Sequence, residues 1–128
     1  MKKKIWLIIR ILLALFMINA GTQHFIKPDM FLPFVPSFLP FHLGIVYLSG
    51  VVEIILGLSL FLKQHYAKFG ALGILVLMII FLPVHIADVF SSAPAIGSHT
   101  AALIRLPIQF ALIALVWKVY RTLSHKSI

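Results

Sequence analysis

Four apolar runs, at about residues 5–21, 44–62, 70–89 and 101–120, fill most of the 128 residues. A helix needs about twenty mostly apolar residues to cross a bilayer. In lipid the backbone must satisfy its own hydrogen bonds, which leaves helices as the form for such runs. The expected fold is therefore all-α: a four-transmembrane-helix bundle, with residues 1–128 forming a single integral membrane domain. Composition excludes the soluble alternative. The chain is 62% hydrophobic and 11% charged, against about 45–50% and about 25% in ordinary soluble proteins.

The formal net charge is +8, and its placement sets an expected orientation. Lys2, Lys3 and Lys4 precede the first run, Lys63 and Lys68 separate the second from the third, and Lys118, Arg121 and Lys126 follow the fourth. The other connections hold Lys27 beside Asp29 and a stretch without Lys, Arg, Asp or Glu at 91–100. Basic loops stay in the cytoplasm, so both termini are expected there. Anionic lipid headgroups are sufficient partners for this charge, and no nucleic acid is called for. The absence of cysteine removes disulfides, thiol catalysis, thiolate metal sites and iron–sulfur clusters. The first run is not expected to be a cleaved signal: Arg10 interrupts it, and Ile18 stands where cleavage after Ala20 would need a small residue.

One carboxylate, Glu53, lies well inside the second run. A charge at mid-bilayer costs roughly 2.5–3.5 kcal/mol on insertion scales, so partners for it are expected elsewhere in the chain. Gly50, Glu53 and Gly57 share a helical stripe, and small residues beside the carboxylate let a neighbouring helix approach. Arg10, by contrast, leans toward the basic end and is expected to snorkel.

Between the first two runs lies GTQHFIKPDMFLPFVPSFLPFHL, residues 21–43. Its prolines preclude a regular helix, and bare non-helical backbone cannot face hydrocarbon. The segment is expected to form a cap on the outer side, built from Phe25, Pro28, Phe31, Pro33, Pro36, Phe38 and Pro40. Two roles stay open for it: an aromatic anchor at the interface, or a lid over a pocket. Pro83 and Pro107 are expected to loosen the third and fourth helices. Trp117 and Tyr120 sit where interfacial aromatics belong.

The polar residues of the runs gather in the outer half. At about 1.5 Å per residue, Asp88 and His24 are shallow, His85 and Arg105 lie roughly 8 Å in, and Glu53 and Gln109 roughly 13 Å in. Side chains lean toward helix N-termini, which brings Glu53 and Arg105 toward His85 and Asp88. Two readings follow. Glu53 and Arg105 form a buried pair that fixes helix packing, with Gln109 and His85 completing the hydrogen bonds. Alternatively, the cluster is a functional site, as membrane-embedded ionisable groups commonly are. No metal site is expected, because Arg105 disfavours a further cation. A haem would need His24 or His85 as ligand, and no attachment motif is present. Apolar walls with a few convergent polar groups suit an amphipathic molecule with a polar head, such as a quinone.

The motifs fall in a definite order: Gly21-Thr-Gln-His24-Phe25, Pro28, Phe31, Phe34-Val-Pro-Ser-Phe-Leu-Pro40, Ser49-Gly50, Glu53, Gly57 and Arg105-Leu-Pro-Ile-Gln109. This series resembles the DoxX family of small bacterial membrane proteins, from the end of the first run to the fourth. The resemblance implies a multi-pass protein of the bacterial inner membrane. It also implies a link to membrane oxidation systems, including thiosulfate oxidation coupled to quinone, and to membrane or periplasmic redox partners. His24, Glu53, Arg105 and Gln109 match the family pattern. Leu82-Pro83-Val84-His85 departs from it, since many relatives read Phe-Pro-Ala-Asn. The leading expectation is an accessory subunit of a redox system, not an autonomous enzyme, that holds a quinone-like ligand. The alternative is a non-catalytic scaffold or assembly factor. A proton-linked transporter would need a homo-oligomer, given four short spans and no inverted repeat.

Overall fold

The computed structural model describes residues 2–125, with the side chains of residues 3–124. Lys126, one of the expected cytoplasmic charges, lies outside the described residues. Four long helices, α1 (Lys2–Ile26), α2 (His42–Ser59), α3 (Gln64–Phe90) and α4 (His99–His125), run up and down as a bundle. Both ends of the described chain therefore lie at one end of the bundle, and the α1–α2 connection lies at the other, called here the cap end.

Each helix is long and apolar enough to cross a membrane. The shortest, α2, has 18 residues, about 27 Å at 1.5 Å per residue. The outward faces agree with a lipid surrounding. Ile8, Leu12 and Leu15 on α1, Leu48 and Ile55 on α2, Val76 and Ile79 on α3, and Ile104 and Ile108 on α4 are all exposed. Aliphatic surface on that scale is untenable in water and natural against acyl chains.

The helices extend past most of the apolar runs. α1 continues beyond Gly21 to Ile26 because the first proline after it is Pro28; Lys27 leaves the helix at φ −132°. Phe25 is therefore a helix residue and not part of the cap, and its ring stacks on Tyr47 of α2 with centroids 5.2 Å apart. α2 stops at Ser59, short of Leu62. Pro83 and Pro107 lie inside α3 and α4, and both helices continue through them.

Packing is uneven. α1 lies along α2 and α3 along α4, with thinner contact between the two pairs. Glycine sets the first pairing: a methyl group on Gly21 would stand 2.5 Å from the Gly50 carbonyl oxygen, and one on Gly57 2.9 Å from that of Ala14. The core of Ala14, Met17, Leu60, Ala67, Ala71, Ile74, Val116, Val119 and Leu123 is closed toward the end that carries the termini. There Gly70 and Gly73 of α3 let Ser59 and Leu56 of α2 come close. At that end Gln64 also donates to the Leu123 carbonyl oxygen. Toward the cap end α3 presents Leu77, Phe81 and Val84 instead, and a cavity opens.

Candidate functional site: a cavity beneath the cap

The cap consists of residues 27–41. Two single 3₁₀ turns, Pro28–Met30 and Leu32–Phe34, place Pro28 first and Pro33 second, early positions where no backbone donor is needed. Phe41 then starts α2 from a left-handed conformation, φ 54°, which a bulky side chain seldom adopts. The cap has two faces. Phe31, Phe34, Val35, Pro36 and Leu39 turn inward over the cavity. Phe38 and Phe41 turn outward and are 82% and 84% exposed. One face of the segment thus meets the cavity and the other meets the surroundings. Pro40 is also exposed and, with Pro28 and Pro33, lies off the cavity wall.

The cavity measures about 570 Å³, within the range of about 300–1,000 Å³ usual for small-molecule sites. α1 contributes Ala20 and His24, α2 contributes Ile45, Val46, Ser49 and Glu53, and α3 contributes Leu77, Ile80, Phe81, Pro83, Val84 and His85. α4 supplies Arg105. The wall is therefore apolar apart from Glu53, Ser49, His24, His85 and Arg105. Asp88 and Gln109 are not part of it.

The polar residues form pairs other than the expected one. Glu53 does not pair with Arg105. It lies beside His24, with Nδ1 to Oε2 at 3.5 Å. That His24 nitrogen donates to the Ala20 carbonyl oxygen at 2.7 Å, so its proton is committed to the backbone. The His24 ring is held between helices and cap, stacked on Phe31 at 3.8 Å. Glu53 is 5% exposed, and its Oε2 has no hydrogen-bond partner among the described residues. The Gly50–Glu53–Gly57 stripe does face α1, and all three residues are buried.

Arg105 pairs with Asp88. Its Nη2 donates to Oδ2 at 3.1 Å, and the Phe34 ring lies 4.6 Å from the guanidinium carbon. Asp88 also accepts from the backbone N–H groups of Ala95 and Ile96. It therefore ties the α3–α4 connection to both helices. Gln109 lies apart from the expected cluster: it donates to the Met78 carbonyl oxygen at 2.8 Å and latches α4 to α3. His85 lines the cavity with its Nδ1 unpartnered among the described residues. Arg10, expected to snorkel, is half-buried, and its Nε lacks a hydrogen-bond partner among the described residues.

Two features of the site went unread in the sequence. Ser49 is four residues before Glu53 on α2 and shares its face, a signal that was available. Phe34 over Arg105 had no comparable signal, because a turn-rich segment gives no register. Among the described residues no group of three or more metal-ligating side chains is assembled.

Residues 13–120 match the family model described as Domain of unknown function (DUF8561). No curated protein and no solved structure matches the chain.

Proposed function

Taking as its premise that the chain belongs to the DUF8561 family, we propose that this protein is a membrane-embedded binding protein for a small amphipathic molecule, a quinone-like one first among them. The observation that carries this is the cavity itself. It is ligand-sized and apolar, it is roofed by the inward face of the cap, and its wall holds the buried Glu53, whose Oε2 has no hydrogen-bond partner among the described residues. Apolar cavities with a few convergent polar groups are the usual form of such sites.

The redox side of this proposal follows from the sequence resemblance to the DoxX family. On that basis the protein works as an accessory subunit beside a membrane or periplasmic oxidoreductase, with both termini cytoplasmic in a bacterial inner membrane. A scaffold role is favoured by a separate observation: Asp88–Arg105 and Gln109–Met78 tie α3 to α4 without a ligand.

Titration of the purified protein with short-tailed quinones and quinols, read as a shift in its unfolding midpoint, tests the proposal. A saturable shift that Val46→Trp abolishes supports it, since Val46 is buried on the cavity wall. Equal behaviour of wild type and Val46→Trp leaves the scaffold role in its place.

A further inference from the structure

The polar groups around the cavity are unequally satisfied, and the inequality bears on the head group the cavity takes. Arg105 is the cation on the wall, but its charge is answered from within by Asp88 at 3.1 Å. Phe34 covers the guanidinium, and Asp88 is itself fixed by the N–H groups of Ala95 and Ile96. Arg105 is therefore not a free counter-ion for an anionic ligand. The Nδ1 proton of His24 is held by Ala20. Left without hydrogen-bond partners among the described residues are Oε2 of Glu53, Nδ1 of His85 and Nε of Arg105.

Resting on the cavity reading above, we propose that the site selects an uncharged, hydroxyl-bearing amphiphile and rejects its carboxylate counterpart. A hydroxyl both donates and accepts. It can donate to an ionised Glu53, accept from a protonated one, and use its remaining capacity on His85. A carboxylate can only accept: beside an ionised Glu53 it brings a second negative charge, and beside a protonated one it places an uncompensated charge in an apolar volume where Arg105 is already paired with Asp88. Like charges placed together in that way are strongly disfavoured.

The test uses the full chain in mild detergent with chain-matched probes: decanol, decanoate and decylammonium. Occupancy is read by native mass spectrometry. Wild type is expected to hold decanol at least about tenfold more tightly than decanoate, as a like-charge penalty requires. Glu53→Gln keeps the shape and both hydrogen-bonding capacities without the charge. It is expected to retain decanol and to raise decanoate toward it. Val46→Trp, or the milder Ser49→Phe, is expected to displace decanol and so tie the probe to the cavity. Decanoate or decylammonium bound as well as decanol in wild type would overturn the head-group rule alone, provided the cavity variants displace it. An unchanged preference in Glu53→Gln would overturn it as well. Probes that neither cavity variant displaces would remove the cavity reading and this inference together.

Discussion

At the scale of single residues, Glu53 is the position that separates binding from packing. Burial strips the hydration of the Glu53 carboxylate, and among the described residues its Oε2 has the His24 ring at 3.5 Å but no hydrogen bond, which costs stability. Replacing it with an apolar side chain of similar size should therefore stabilise the fold. Glu53→Leu is expected to raise stability by about 1–2 kcal/mol in a denaturation measurement, while ligand binding is lost. A loss of stability in that variant would instead mark Glu53 as a packing residue. The glycines make a second contrast. Gly21→Ala drives a methyl group into the Gly50 carbonyl oxygen and should cost about 1–3 kcal/mol, as overpacking does. Gly44→Ala meets nothing nearer than the Phe41 Cβ at 3.7 Å, and should gain about 0.5–1 kcal/mol from helix propensity. Paired unfolding curves of the two variants check both signs.

At the scale of elements, Asp88 joins α3, α4 and their connection through one carboxylate. Asp88→Asn leaves Arg105 without its counter-charge, and breaking a buried pair in this way costs about 3–5 kcal/mol. Since Arg105 is partly exposed, the lower end is expected. Hydrogen exchange at Ala95 and Ile96 should rise in the same variant. Here the sequence was only half readable. Counting residues along a helix gives depth, and depth put Glu53, Arg105, His85 and Asp88 in the same outer half of the bundle. It does not give the direction around the axis or the neighbour on that side. α4 lies against α3, so Arg105 meets Asp88 before it can meet Glu53. α1 lies against α2, so Glu53 meets His24. The reach of α1 was missed for a related reason: apolarity ends near Gly21, but hydrogen bonding continues until the approach of Pro28. By contrast, the four helices and the Gly50–Glu53–Gly57 stripe were legible, because lipid burial and close approach impose patterns on residue type that need no tertiary information.

At the scale of the whole molecule, the bundle is closed at the end with the termini and open beneath the cap. Gly70 and Gly73 admit close helix contact at the first end, whereas Leu77, Phe81 and Val84 line the cavity toward the second. Lys27 and Arg105 lie toward the cap, whereas Lys3, Lys4, Lys63, Lys68, Lys118 and Arg121 sit at the closed end. Trp117 and Tyr120 stack there, with Arg121 over the indole. With positive charge retained in the cytoplasm, reporters fused to either terminus should report a cytoplasmic location, and a tag placed at Ser92 should be accessible from outside. The reverse pattern would put the cavity's cap on the cytoplasmic side and separate it from any periplasmic partner.

On the proposed function, the cavity holds a discrete small molecule. Mass spectrometry of the organic extract from gently purified protein tests it most directly, with Val46→Trp prepared in parallel. A single amphipathic species at close to one per chain in wild type, absent from Val46→Trp, is the predicted result. The same bulk lipids in both preparations, with no such species, would contradict it.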